Sequence, residues 1–514
     1  MKYKILVLIL NVFFPMLLAA QGRTHNFLIG YNTLTDQYTT AGKARLLFDS
    51  TTITVVSDVR KMEFGITQAN ISDENGNLLM VSNGCWIADA TGDTMLNGSG
   101  LNPNSFTDDY CGSYPEGLPL SHGNIILPYP DNPDKYILFH QTGNYNANGV
   151  STELYYSEID LSLNGGLGEV TNKNQIILND NLVWGLAACK HANGRDWWIV
   201  ALKDASTIIH KFLLDSSGIS YMGTQNLGFP TPITWGNATQ PIFSPDGTKF
   251  VYGSGRAGSN PFHDVRLFNF DRCNGNFSGL EYVALNDSSF GFGLSFSPDS
   301  KYLYHSSFQR IYQFNTDTSD IAASKTTVAV NDGYYSPIPP FQTDFWYMYL
   351  AANGRIYISP GNGVIDLHYI NYPDSAGMAC DVHLHDLHLP CYSFRGNVYH
   401  PNYYLGCDTT QTTCPCLTTG INEIGQHDFK FSVSPNPNNG SFKIIYLLPQ
   451  SATGGQTGTL QIFDIAGKQI YQQNLPPWST MQYISLPKIA NGVYQCVISS
   501  GNERVHKKLV VFKE

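Results

Sequence analysis

Pro241-Ile-Phe-Ser-Pro-Asp-Gly-Thr-Lys-Phe-Val-Tyr252 returns as Gly293-Leu-Ser-Phe-Ser-Pro-Asp-Ser-Lys-Tyr-Leu-Tyr304, with Asp246 and Asp299 53 residues apart. Each phrase reads as a strand, a tight turn and a second strand rich in aromatic and β-branched side chains. Asp-Gly and Asn-Gly pairs supply the positive φ that short hairpin turns need. Moving outward, turns of this kind recur at Asn75-Gly76, Pro133-Asp134, Asn193-Gly194 and Asn353-Gly354. Each leads into an apolar run, such as Lys135-Tyr-Ile-Leu-Phe-His140 or Asp196-Trp-Trp-Ile-Val-Ala201. The second turn residues fall at 76, 134, 194, 247, 300 and 354, in steps of 58, 60, 53, 53 and 54. Helical periodicity is nearly absent between them.

A period of this size means one supersecondary unit repeated as a propeller, solenoid or array. The 381 residues from 27 to 407, at about 54 per unit, hold about seven units. Six are marked by turns. The seventh is expected to combine the N-terminal strands 27–31 and 53–57 with the C-terminal segment 397–405. Joining the two ends in one unit closes the ring without an exposed edge. The Phe-Ser-Pro-Asp-Gly hairpin is similar to that of many β-propeller blades. The expectation is therefore an all-β chain with a seven-bladed β-propeller, six or eight blades being the alternatives.

The composition fits. The chain has 514 residues, 13% aromatic and only 14% charged, against about 25% charged in ordinary domains. Asn, Gly, Ser, Thr and Tyr must then form much of the surface. A hydrophobic content of 42% excludes disorder, and 47 glycines without a three-residue period exclude collagen. A net charge of −11 offers no general affinity for nucleic acid.

The first residues are an address. Lys2 and Lys4 precede the apolar run Ile5–Leu18, and Leu18-Ala19-Ala20 ends it before Gln21. That is the pattern of a secretory signal peptide over residues 1–20. Fourteen residues, apolar but for Asn11, fall short of the roughly 20 that span a bilayer as a helix. No later stretch reaches that length, so no transmembrane segment is expected. Ten cysteines sit at 85, 111, 189, 273, 380, 391, 407, 414, 416 and 496. In an exported protein they allow two or three disulfides, with the pairing open.

Longer phrases carry a second resemblance. Ala69-Asn-Ile-Ser-Asp-Glu-Asn-Gly-Asn-Leu-Leu-Met-Val-Ser-Asn-Gly84, Ser157-Glu-Ile-Asp-Leu-Ser-Leu-Asn-Gly-Gly-Leu-Gly168 and Ala188-Cys-Lys-His-Ala-Asn-Gly-Arg-Asp-Trp-Trp-Ile-Val200 resemble the N-terminal regions of exported Bacteroidota proteins. This resemblance spans roughly residues 60–400 and implies a propeller without naming catalytic residues. Leu389-Pro390 with Phe394 departs from that family's usual Gly-Leu-Pro-Asn-Phe phrase.

The tail differs from the rest. The Thr- and Cys-rich stretch 407–427 reads as a linker after a propeller over 21–406. Residues 428–514 then hold eight basic and four acidic residues, net +4, while 21–427 hold 20 basic and 37 acidic, net −17. Phe431-Ser-Val-Ser-Pro-Asn-Pro-Asn-Asn-Gly-Ser-Phe-Lys-Ile444, Leu460-Gln-Ile-Phe-Asp-Ile-Ala-Gly-Lys-Gln-Ile470, Ile489-Ala-Asn-Gly-Val-Tyr-Gln-Cys-Val-Ile498 and Lys507-Lys-Leu-Val-Val511 alternate around turns, as in a small β-sandwich. This set resembles the type A C-terminal sorting domain of the type IX secretion system. Pro435, Asn436, Pro437 and Gly440 match its opening, and Asp464, Gly467 and Lys468 its central hairpin. Gly492 and Tyr494 match its Gly-x-Tyr strand, and Lys508 its late basic position. The resemblance implies recognition by the outer-membrane secretion machinery, then release or attachment at the surface. Exposed linkers concentrate proteolysis, so cleavage is expected between about Gly420 and Phe429.

Candidate chemistry is thin. In Asp381-Val-His-Leu-His-Asp-Leu-His388, His383 and His385 share a strand face, and a returning His388 completes a three-nitrogen metal set. An exposed loop with unlinked histidines explains the same residues. Asp73-x-Asn75-x-Asn77 mimics the start of a calcium loop but lacks its glycine and closing glutamate; a hairpin turn is the plainer reading. Glu63, Glu116 and Asp109 are candidates for a glycosidase carboxylate pair. Trp184, Trp197, Trp198, Trp235 and Trp346 are either core fillers or sugar platforms. No nucleophile elbow, zinc helix or phosphate loop is present. No catalytic, cofactor or metal residue is assigned. Two function classes remain: a surface propeller that binds a glycan, polymer or protein, and a propeller enzyme acting on polysaccharide or peptide.

Overall fold

The computed structural model describes residues 22–513 except 32–41, 49–51, 146–149, 229–239, 257–260, 286, 338–339, 397, 411–412, 418–430, 435, 447–457, 466, 476–480 and 501–502. The signal-peptide segment 1–20 and the expected cleavage stretch lie outside the described residues. The chain divides into two compact units, Met1–Gly420 and Ile421–Glu514. No helix among the described residues is long and apolar enough to cross a membrane.

The first unit is a seven-bladed propeller. Six blades are four-stranded antiparallel meanders beginning at Ala69, Asn124, within Glu169–Lys190, and at Ile242, Gly291 and Met348. We number them blades 2 to 7. Blade 1 has three strands, Asn26–Ile29, Lys43–Phe48 and Ile53–Asp58. Blades 2, 3 and 4 merge into one 11-stranded sheet. The 22-residue strand Glu169–Lys190 joins blades 3 and 4, because it ends blade 3 and continues as the first strand of blade 4, and a parallel pair of Glu169 with Leu96 adds blade 2. Each blade packs on the next, and blade 7 packs back on blade 1, so the ring closes.

The Ser-Pro-Asp phrases recur for a local reason. Ser244 Oγ and the Thr248 N–H both donate to Asp246 Oδ1, at 2.5 and 3.0 Å. Ser297 Oγ and the Lys301 N–H repeat this on Asp299, at 2.5 and 3.0 Å. The two side chains thus bind the turn's own backbone, which is how such residues favour turns over ladders. Gly247 takes φ 72° and Ser300 takes φ 64°. The serine replaces glycine with a compensation: its Oγ accepts the Asp246 N–H at 3.1 Å and links the two blades. Around blade 5, Phe243, Phe250, Phe270 and Phe277 pack with centroids 4.7–5.2 Å apart along their closest contacts, each buried phenyl stabilising by about 2–3 kcal/mol.

Closure differs from the expected shared blade. No described residue of 398–405 pairs as a strand with blade 1; Asn397 lies outside the described residues. Blade 1 instead has its inner edge bonded by amide side chains, Asn70 Nδ2 to the Asn26 carbonyl and Gln68 Nε2 to the Leu28 carbonyl, both at 2.8 Å. The C-terminal segment runs along the ring axis. Tyr403 Oη donates to the Ile126 carbonyl at 2.9 Å and Tyr399 Oη to Ala188 at 3.1 Å. Asn402 Nδ2 donates to Pro245 at 2.8 Å, His400 Nε2 lies 2.9 Å from the Asn70 carbonyl, and His400 Nδ1 lies 2.9 Å from Tyr349 Oη. A segment that reaches five blades of a ring must lie near its axis. Its chain ends are joined by side chains to inner strands, not by a ladder.

Three disulfides are present: Cys85–Cys111, Cys273–Cys414 and Cys407–Cys416. Cys273–Cys414 fastens the segment after the axis to blade 5, and Cys407–Cys416 closes a loop within that segment. The Asp408 and Leu417 N–H groups add bonds to the Ala192 and Asn193 carbonyls in blade 4. Cys189, Cys380, Cys391 and Cys496 are free and buried.

The second unit is a sandwich of a three-stranded and a four-stranded sheet. Phe442, Ile444, Tyr446, Leu460, Ile462, Ile498 and Leu509 fill the space between them. Cys496 is part of this core, and burial pushes its thiol up to about 12.

Candidate functional site

In an antiparallel meander the entry to the first strand and the connection between the second and third strands lie at one end. The ring therefore has two unlike faces. The six repeat turns lie together on one. In the third blade the left-handed residue is Asp131, not the expected Pro133-Asp134 pair. On the same face, a cavity of about 320 Å³ lies between the inner strands of blades 4 to 7 and the axial segment, lined by Lys190, Ser295, Tyr349 and His400.

The other face carries the long connections, 100–123 and 331–347 among them. The first holds the helix Ser105–Ser113, whose N-terminus is capped by Asn104 Oδ1 accepting the Thr107 N–H at 2.8 Å. The Cys85–Cys111 disulfide ties the helix to blade 2. Phe106, Tyr110 and Tyr114 follow at helical spacing and pack in a row, with centroids 4.8 and 4.9 Å apart. Tyr145 extends the row and donates its hydroxyl to Asp109. Tyr114, Tyr145, Tyr335 and Phe341 stand exposed on this face.

Two buried groups lie near its centre. His122 is 1% exposed, and neither ring nitrogen has a hydrogen-bond partner among the described residues. Its ring lies against Tyr399 of the axial segment at 5.4 Å. Desolvation pushes it down to about 3, which keeps the imidazole neutral. Asp344 accepts the Gly361 N–H through Oδ1, while Oδ2 has no partner among the described residues. Burial raises it to about 6. Nothing in the sequence marks either residue, since a lone His and a lone Asp in loops form no spacing pattern.

The candidates read from sequence are spread apart. His383 lies between Asp381 and Asp386, at 3.1 and 2.9 Å, whereas His385 bonds Asp332 at 2.9 Å and His388 bonds Asp366 at 2.5 Å. Each imidazole is therefore held by its own carboxylate, on an outer strand of blade 7. Burial would lower His383, but the two carboxylates prevail and raise it. Glu63 pairs with Lys43 at 3.4 Å, Asp109 bonds Tyr145, and the Glu116 side chain packs on Gly65. Asp73 Oδ1 accepts the N–H groups of Asn75 and Asn77 at 2.8 and 2.9 Å, which makes this stretch a hairpin turn. Trp197, Trp198 and Trp346 are buried and Trp184 is half-buried; Trp235 lies outside the described residues.

In the tail, the motif residues hold the sandwich together. Asn436 Nδ2 donates to the Lys508 carbonyl at 2.7 Å, and its Oδ1 accepts the Val510 N–H at 2.7 Å. The amide so imitates one rung of a strand ladder against the last strand, Glu503–Val511. The Asn438 N–H donates to the Val510 carbonyl at 3.0 Å, and its carbonyl accepts the Phe512 N–H at 2.7 Å. Pro437 lies between these two asparagines, and Pro435 lies outside the described residues. Gly440 has φ 98°, and a Cβ there would meet the Leu486 carbonyl at 2.8 Å. Asp464 Oδ1 accepts the Lys468 N–H at 2.9 Å across the hairpin that Gly467 turns with φ 79°. Tyr494 Oη donates to the Ala490 carbonyl at 2.9 Å, just before Gly492. Lys508 pairs with Gln495 and points its side chain to the surface. Sequence reading passed over Asn438 and Asn491; the latter exchanges bonds with the Lys513 backbone at 3.0 and 2.8 Å.

Residues 432–512 match the family model of the secretion system C-terminal sorting domain. The tail is such a sorting domain. It directs the chain through type IX secretion to the cell surface or the medium. No curated protein matches the chain. Among solved structures, it is similar to a quinoprotein alcohol dehydrogenase-like protein from Bacteroides thetaiotaomicron, at 11% identity over 68% of this chain and 81% of that one, TM-score 0.30. A glucose dehydrogenase matches at 9% identity over 59% and 95%, TM-score 0.34. A family 43 glycoside hydrolase from Xanthomonas citri, solved with xylose, matches at 9% over 52% and 85%, TM-score 0.27. The fold rests on the sheet order and ring closure, not on these similarities.

Within the sorting domain, Asn436→Ala removes both side-chain hydrogen bonds to the last strand. An exposed amide pair of this kind contributes about 1–2 kcal/mol. Amide exchange at Val510 in the full chain should therefore quicken about tenfold, with the propeller amides unchanged.

Proposed function

We propose that the chain is a cargo in four parts: a signal peptide over 1–20, a propeller over 21–406, a linker over 407–427 and the sorting domain over 428–514. The Pro-Asn-Pro, Asp-x-x-Gly-Lys and Gly-x-Tyr residues shape the sorting domain for the secretion machinery. The propeller acts outside the cell as a binding module for a glycan, surface polymer or protein. What carries this reading is the inequality of the two faces. One carries the six repeat turns and the connections between third and fourth strands, the longest being 371–381, while the other presents the longer connections 100–123 and 331–347, a disulfide-braced helix and four exposed aromatic side chains. Exposed aromatic groups on a rigid scaffold are favoured where a protein recognises a partner. The reading requires no resident cofactor.

The test is to screen purified full-length protein against glycan arrays and outer-membrane polymers, with Tyr114→Ala/Tyr335→Ala beside it. Saturable binding that the double variant weakens supports the reading. Turnover of a polysaccharide or peptide, unaffected by the double variant, would replace it with the enzyme reading.

A further inference from the structure

A buried chain of ionisable groups joins blades 5 and 6 beneath the connection that enters blade 6. Asp287 Oδ1 lies 2.8 Å from His263 Nε2, His263 Nδ1 lies 2.7 Å from His305 Nε2, and His305 Nδ1 lies 3.0 Å from the Gly293 carbonyl. Both rings are 0% exposed. Their centroids are 4.9 Å apart and their planes differ by 27°, as an edge-to-edge bond between two imidazoles requires. The contacts run in series from Asp287 through both rings to the Gly293 carbonyl.

Counting hydrogens decides its charge. The Gly293 carbonyl only accepts, so His305 Nδ1 must carry a hydrogen. Where two ring nitrogens meet, one donates and the other accepts. Asp287 also accepts from the Ser289 N–H at 3.1 Å, Ser307 Oγ at 3.2 Å and Tyr312 Oη at 2.7 Å, with Arg310 at 3.5 Å. Burial would raise this carboxyl, but its donors, His263 first, pull it down to about 2. A carboxylate cannot donate, so His263 Nε2 must. Three N–H hydrogens are needed on four ring nitrogens, and two neutral imidazoles carry only two.

We propose that His263 and His305 together hold three N–H hydrogens, sharing one positive charge that Asp287 neutralises, and that this proton fastens blade 5 to blade 6. Burial opposes the charge on both rings. Asp264 on the same strand favours it and Lys325 opposes it. The alternative is worse, because two neutral rings leave lone pair against lone pair at 2.7 Å between buried rings, too close for a bridging water. The proton belongs to the pair, not to one ring.

The sign of the pH effect follows. Above the ordinary histidine value of about 6.5, the unfolded chain has released this proton and the native chain still binds it. The stabilisation is complete below that value and is lost as pH rises through the raised native value. Within that window, unfolding releases one proton, and its equilibrium constant grows about tenfold per pH unit. His263→Gln keeps a donor for Asp287 but removes the ring that meets His305. The full-length chain should show an unfolding constant rising about tenfold per unit more steeply than this variant between pH 7 and 9. A second readout does not depend on the variant folding. In full-length protein labelled with 15N in its 14 histidines, one spin system should keep both ring nitrogens protonated or exchange-averaged towards it at pH 8. Finding every imidazole in the neutral form at pH 8, or parallel pH profiles for the two proteins, overturns the proposal.

Discussion

A chain ending at residue 427 is expected to fold its propeller yet remain in the periplasm, with none reaching the surface or the medium. The sorting domain is the part matched to export, and its core is separate from the ring: Phe442, Ile444, Leu460, Ile462, Ile498 and Leu509 pack among themselves. Removing it leaves the axial segment, its anchoring Cys273–Cys414 disulfide and Cys407–Cys416 in place, because Cys414 and Cys416 precede it. Loss of export with retained propeller stability is therefore the expected pair of results. Cell fractionation and immunoblotting check the first, and urea unfolding of the purified truncated protein checks the second. Normal export of the truncated chain would contradict the role of the tail. Transfer of residues 418–514 to a periplasmic reporter should conversely carry the reporter out.

Tyr403→Ala should produce the largest stability loss of any single substitution in the axial segment. The ring of Tyr403 is buried and meets Trp197 edge-on at 5.7 Å, while its hydroxyl satisfies the Ile126 carbonyl. Truncating a buried aromatic costs about 3–5 kcal/mol. Tyr403→Phe keeps the ring and orphans only the carbonyl, at about 1–3 kcal/mol. The graded loss distinguishes packing from hydrogen bonding, and urea midpoints of the two variants measure it. Equal, small losses would show that the ring closes without this segment.

The blade turns were legible because their determinants are neighbours in the chain. Ser244, Asp246 and Thr248 bond across two residues, so the phrase that specifies the turn is also the phrase that repeats. The same holds for Asp464 with Lys468 in the sorting domain. The His-rich stretch shows the limit of such reading. Its histidines share a strand, but His385 and His388 find their partner carboxylates outside that stretch, at Asp332 and Asp366. His122 and Asp344 left no trace in the sequence, because their character comes from burial and not from their neighbours.

By itself, then, the sequence determined the all-β class, a propeller of six to eight blades, most of the hairpin turns and the export tail, each encoded within a few consecutive residues or a fixed period. Tertiary structure alone decided how the ring is closed, which cysteines pair and where buried charge is held. Those outcomes rest on contacts between distant residues, such as His400 with Asn70, 330 positions apart, or Cys273 with Cys414, 141 apart. Only a folded ring brings such groups within bonding distance and strips the water that would otherwise satisfy them.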